Sequence, residues 1–268
     1  MKNQLKVLIL GAYPLKEGGG GAMKHAGHLA DYLAASGDNE VHVITLGDDN
    51  RQFRNGDISV NVMSRKWFIN PFLSPFLVSS IKRQIDEINP DIIHAMTGFP
   101  YATIAVFLRR RYPILLTVFS LSEIELRFDK NLSWTLKRLL VFIPNERYFI
   151  PRMPHIIVQT PFMAEKVGQM TKSIMHIVPE GIEYEKLKQF QEQSAPNYFP
   201  DIFVAVSFRK LKGIDILIRA LPTVIAVLPD LKVQIAGSGQ EKGRLKNLVT
   251  ELGLQEHVNF PGFILDEG

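Results

Sequence analysis

The 268-residue chain contains no cysteine. This excludes a disulfide framework and a thiolate zinc site, and it fits a reducing compartment. No apolar run approaches the length of a membrane span. Met1 leads directly into a strand pattern, without the basic and apolar regions of a signal peptide, so a cytoplasmic protein is expected. Excess charge of one sign is also scarce. A total of 31 Lys and Arg against 27 Asp and Glu leaves +4, too little and too dispersed to indicate nucleic acid, yet compatible with attraction to an anionic membrane surface. No Asp-x-Asp pair occurs. His25 and His28 are three apart and could share a helix face, but no third ligand stands at recognisable spacing, so neither a metal nor another cofactor is expected.

The sequence is 46% apolar, enough for one large or two modest domains with substantial cores. Short apolar runs recur at 6–10, 41–45, 58–62, 91–95, 114–118, 155–160 and 174–178, separated by turns and helical patterns. Such runs are the mark of buried parallel strands, and their alternation with helices predicts an α/β fold. Ligands of parallel sheets bind at the carboxyl ends of the strands, where Gly11, His94 and Phe119 should gather. After the first run come Gly18, Gly19, Gly20 and Gly21, then an apolar helical pattern. Glycines at a helix start let backbone N–H groups approach an anion closely, although a flexible surface loop has the same composition. The dinucleotide fingerprint is not met. The glycines come too late after the strand, Met23 or Lys24 takes the place of the third, and Gly237 and Gly239 are followed by Lys242; an NAD-dependent oxidoreductase is disfavoured.

A polar, glutamine- and proline-containing stretch at 184–200 reads as a linker between domains at 1–183 and 201–268. Beyond it, runs at 202–206 and 231–236 flank an amphipathic pattern with Ile214, Leu217, Ile218 and Leu221. Arg209, Lys210 and Lys212, followed by Gly213, lie between that first strand and the helix. This turn suits a diphosphate, the plain alternative being solvated charges beside a helix. Two segments, 65–77 and 132–142, mix cations with Trp, Phe and Leu. They read either as interfacial membrane-binding segments or as covering helices whose basic side chains snorkel.

Residues 203–263 resemble the second domain of the retaining, nucleotide-sugar-dependent glycosyltransferases of family 4. The resemblance is carried by KGIDILIRAL at 212–221, LPDLKVQIAGSG at 228–239 and LKNLVTELGLQEHVNFPGF at 245–263. In the first domain, GGAMKHAGHLADYLA at 20–34 resembles the family's glycine loop and helix, and PDIIHAMTG at 90–98 its fourth-strand signature. The resemblance implies a GT-B architecture of two Rossmann-like domains, the first complete and the second truncated. It implies a nucleotide-diphosphate sugar as donor and a hydroxyl acceptor, lipid-linked if the cation-aromatic segments meet a membrane. Lys212 falls on the family's diphosphate lysine. Arg209 lies two residues from its arginine partner, whose ungapped position holds Ser207. Gly20, Gly21, Gly237 and Gly239 fall on the donor side, and His94 and Phe119 on the acceptor side.

Two departures stand out. Phe119 occupies the position of a family histidine beside the acceptor and reacting carbon, and Glu180 replaces the asparagine of a Pro-Asn-Gly-Val turn. The Glu-x7-Glu pair that in the family binds donor ribose and sugar occurs nowhere in the sequence. Two readings follow: a hexosyl-transferring enzyme, impaired or needing a missing segment, or a degenerate relative that binds or scaffolds a partner without chemistry. A truncated second domain would leave residues 200–268 less protected from hydrogen exchange than 1–180, unless a partner chain or dimer covers its edge.

Overall fold

A computed structural model describes residues 4–15, 21–64, 74–96, 101–128, 132–182 and 200–264, together with Tyr184 and residues 188–189. It divides into two compact units, Met1–Leu126 with Asn131–Gly181, and Arg127–Lys130 with Ile182–Gly268. Most of the expected linker lies outside the described residues.

Unit 1 is built on an eight-stranded sheet. Its strands are β1 (Leu5–Leu10), β2 (Asn39–Gly47), β3 (Arg51–Asn55), β4 (Ile58–Ser64), β5 (Ile92–Met96), β6 (Ile114–Val118), β7 (His155–Val158) and β8 (Ile174–Ile177), in the order β3-β4-β2-β1-β5-β6-β7-β8. Every predicted apolar run in this region is a strand, and β1, β2 and β4 through β8 pair in parallel. The wholly parallel expectation is corrected at one edge, where β3 runs antiparallel to β4. Gly56, at φ 56°, is the first of the two residues joining them, a position that a tight hairpin reserves for glycine.

Helix α1 (Gly21–Ala35) covers one face of this sheet, where Ala26 and Ala30 pack on Ile9, Val43, Val60 and Met96. Small residues let it sit close: a Cβ on Gly27 would come within 2.9 Å of Pro14 Cγ. The opposite face is larger. Ile81 and Ile85 of α2 (Ser74–Ile88), the apolar α3 (Tyr101–Leu108), and Met163 and Val167 of α7 (Pro161–Gly168) join Leu8, Leu10, Ile93 and Leu116 there. Helix α7 begins with Pro161 in its first turn and Thr160 Oγ1 accepting from the Met163 N–H at 3.2 Å.

Between β6 and β7 run α4 (Ser122–Leu126), α5 (Leu132–Lys137), a π-helical turn (Arg138–Phe142) and α6 (Ile143–Phe149). Leu132 and Leu140 are 74% and 72% exposed. Arg138 does not snorkel with them: it is buried, and its Nη2 donates to Glu125 Oε2 at 2.7 Å. Of the other cation-aromatic segment, residues 65–73 lie outside the described residues. Among those described, no helix is long and apolar enough to cross a membrane.

Unit 2 holds a parallel sheet of β9 (Ile202–Ala205), β10 (Val233–Ala236) and β11 (Val258–Gly262) in the order β11-β10-β9. Helices α8 (Ile214–Ile225) and α9 (Lys242–Glu251) share one core with it. Ile214, Ile218 and Leu221 of α8 and Leu245, Leu248 and Val249 of α9 meet Val233, Ile235 and Phe208 there. Each such side chain, fully buried, contributes about 1.5–3 kcal/mol.

Candidate functional site

In unit 1 the chain after β1 turns one way, through α1 to β2, whereas β5 lies on β1's other side. This reversal opens a crevice at the carboxyl ends of β1 and β5. Gly11 lies there, and a Cβ on it would fall 2.5 Å from Met96 Cβ, so only glycine lets the two strand ends close up. Gly21 is the first residue of α1, and a Cβ on it would meet nothing within 4 Å. Gly20 lies outside the described residues.

His94, on β5, is buried at 8% exposure. Its Nε2 shares a 2.7 Å hydrogen bond with Oγ1 of the fully buried Thr117. Burial lowers its pKa to about 4, and a proton on nearby His25 acts in the same direction. The ring is therefore neutral near pH 7, with one nitrogen already occupied within the protein.

Phe119 follows β6 and is half-buried on the α1 side of the sheet. Its ring meets the His25 ring edge to face, with centroids 5.0 Å apart and planes at 77°. His25, on α1, places Nδ1 2.9 Å from Oε1 of Glu180, which follows β8. An ionised carboxylate can only accept, so Nδ1 carries the proton and donates. The two hydroxyls after β6 are engaged internally: Ser120 Oγ donates to Glu125 at 3.0 Å and Ser122 Oγ to Glu146 at 2.6 Å. Burial raises the pKa of Glu146, while the hydroxyl and backbone N–H of Ser122 oppose the rise. His28 is exposed, and no group of three metal-ligating side chains exists among the described residues.

In unit 2 the chain leaves β9 and forms a short 3-10 turn, Lys210–Lys212. Gly213, at φ 66°, ends that turn and starts α8. Lys212 is exposed and Arg209 half-buried. Beside them runs the loop after β10. Phe208 N–H donates to Ser238 O at 2.8 Å, and Glu241 N–H to Phe208 O at 3.1 Å. Gly237 and Gly239 adopt φ of 138° and 153°, and their missing side chains leave room for the Val206 and Phe208 carbonyls. The unit thus brings Arg209, Lys212, Gly237 and Gly239 to one end of its sheet. Arg244 braces the helix starts, 2.6 Å from Glu241 and 3.3 Å from Asp215.

Two features were not anticipated from the sequence. The His25–Glu180 pair spans 155 positions. Phe208, fully buried, anchors the cationic turn to the core.

A large, mostly parallel sheet followed by a second parallel α/β unit, with cations and glycines at strand ends, defines a GT-B-type glycosyltransferase fold. Residues 19–186 match the model of Glycosyltransferase Family 4, and residues 185–267 that of Glycosyl transferases group 1. The chain belongs to Glycosyltransferase Family 4.

It is 29% identical over 215 residues to the uncharacterized glycosyltransferase MJ1059 of Methanocaldococcus jannaschii, a match covering 72% of this chain and 51% of that protein. The chain therefore spans about half the length of that curated relative. Its fold is similar to that of Anabaena Alr3699/HepE, crystallised in complex with UDP and glucose (TM-score 0.63, 19% identity, 98% of this chain and 70% of that one). It is also similar to a glycosyltransferase from Rickettsia africae ESF-5 (TM-score 0.62, 17% identity, 98% and 69%).

Proposed function

We propose that the chain serves sugar transfer from a nucleotide-diphosphate donor to a hydroxyl acceptor, with the donor diphosphate held by Lys212 and Arg209. The observation that carries this reading is the turn between β9 and α8. It presents an exposed lysine and an arginine beside a glycine loop whose backbone is fixed by hydrogen bonds. Positive charge fixed before the reaction stabilises the charge that develops on a departing diphosphate, with little reorganisation at that moment. Family membership and the UDP and glucose bound by HepE support the same ligand class. The exposed leucines of α5 and the π-helical turn are in keeping with a lipid-linked acceptor at a membrane surface.

Titration with UDP tests the reading. Lys212→Ala should weaken binding at least about tenfold, the loss of one charge-assisted hydrogen bond, without shifting the thermal unfolding of unit 2. Equal UDP affinity in Lys212→Ala and the parent would overturn the assignment. A second reading, a scaffold without chemistry, draws on Phe119, which has no polar atom to offer an acceptor. It predicts no UDP binding by either chain.

A further inference from the structure

The His25–Glu180 pair has the geometry of a site rather than of a surface ion pair. Its two residues come from the α1 start and the segment after β8, separated by most of unit 1. The imidazole is fixed on one side by the carboxylate and on another by the Phe119 ring. Its orientation is thus set by two independent contacts. Nδ1–H donates to Glu180, so in the Nδ1–H tautomer Nε2 is the acceptor nitrogen, and among the described residues nothing donates to it. The side chain is 23% exposed, so this nitrogen is neither sealed in the core nor fully solvated.

The neighbours narrow the ligand. Phe119 offers only an apolar ring, and His94 is buried and bonded to Thr117. The Glu180 carboxylate disfavours an anion beside it. What fits is a neutral group that donates one hydrogen bond to Nε2 and rests an apolar face on Phe119. A sugar or polyol hydroxyl has that form.

We propose that His25 is the acceptor-hydroxyl-binding residue of unit 1, its Nε2 accepting a hydrogen bond from the hydroxyl, with Glu180 as the positioning residue that fixes the tautomer. The role rests on the glycosyltransferase reading and adds the contact on the acceptor side.

The test is long-range 15N–1H NMR on the full chain labelled with 15N-histidine, the His25 resonances being assigned by their loss in His25→Phe. The expected spectrum shows His25 with Nδ1 protonated and Nε2 bare, and the Nε2 resonance moves saturably as methyl α-D-glucopyranoside or glycerol is added. Glu180→Leu should mix the tautomers and weaken that response about three- to tenfold, the loss of one positioned hydrogen bond. UDP affinity should stay unchanged in both variants, and an unmoved His94 resonance shows that the sheet is intact. A proton on Nε2 in the parent chain overturns the proposal. So does an Nε2 unmoved by glycerol and by methyl glucosides, galactosides and mannosides in a chain that still binds UDP through Lys212. A chain that ignores UDP yet shows the His25 response would overturn the donor assignment while supporting the hydroxyl site.

Discussion

Alanine at position 239 is expected to unfold unit 2 while leaving unit 1 folded. Gly239 sits at φ 153°, and a Cβ there would lie 2.6 Å from the Phe208 carbonyl oxygen and 2.9 Å from its carbon and nitrogen. These are backbone atoms, already committed. Phe208 N–H donates to Ser238 O, its carbonyl accepts from Glu241 N–H, and its ring is fully buried against the unit's core, edge-on to Phe260. Relief would need either the loop or the Phe208 ring to leave its place. Damage of this kind costs roughly 4 kcal/mol or more, against the about 3–5 kcal/mol that a core of this size supplies. Gly237→Ala should be at least as severe, since its Cβ would overlap the Val206 carbonyl oxygen at 1.9 Å. The control lies nearby. Gly243, inside α9, would gain a Cβ that meets nothing within 4 Å, so Gly243→Ala should stabilise unit 2 by about 0.5–1 kcal/mol through helix propensity. Peptide-resolved hydrogen exchange checks all three. Protection of β10 and α9 should vanish in Gly239→Ala while β1, β5 and β6 keep theirs. Wild-type protection of β10 in that variant would show the loop to be deformable.

The same loop shows what could be read from sequence and what could not. The repeated apolar runs located every parallel strand except β11, because a strand buried on both faces must be apolar throughout, whereas β11 alternates buried with exposed residues and carries Asn259 and Pro261. Strand β3 escaped because it is an exposed edge: all its residues, Arg51 to Asn55, face solvent, and its clearest sign was the Asn55-Gly56 turn before Ile58. Nothing in the sequence marks Phe208, because one apolar residue beyond a strand end carries no periodicity. The structure makes it the pin that holds Arg209 and Lys212 at the sheet's edge. Arg138 stands in sequence among exposed leucines, yet in the π-helical turn it faces inward onto Glu125. Glu180 was visible as a departure from the resembled turn, but its partner His25 lies 155 positions away. A pair at that range is settled only once the sheet order places β8 and α1. Apolar strands are local and came through; pairings across the sheet are not, and did not.

Acid should destabilise unit 1 through His94 before most carboxylates titrate. The imidazole titrates near 6.5 when unfolded, and burial lowers that to about 4 in the folded chain. Between these values the unfolded chain binds more protons, so stability is whole above pH 6.5 and falls as pH drops toward 4. The full swing is about 3 kcal/mol. Glu146 works in the opposite direction, since its raised pKa lets the folded state gain protons first as pH falls. The wild-type slope therefore mixes signs, and the difference between two chains isolates His94. His94→Leu removes the titration but leaves Thr117 Oγ1, fully buried, without its partner, at a constant cost of about 1–3 kcal/mol. At pH 7 the variant should be the less stable chain, and near pH 4 the gap should close or reverse. Adding Thr117→Val removes the orphaned hydroxyl, so the double variant should recover much of the loss at neutral pH and keep the flattened profile. Denaturant unfolding of the three chains from pH 7 to pH 4, read by hydrogen exchange in β5 and β6, measures the effect. Parallel profiles for wild type and His94→Leu would mean that His94 gains its proton inside the folded unit at little cost. A flattened profile would identify the neutral, Thr117-bonded ring as the form the fold requires.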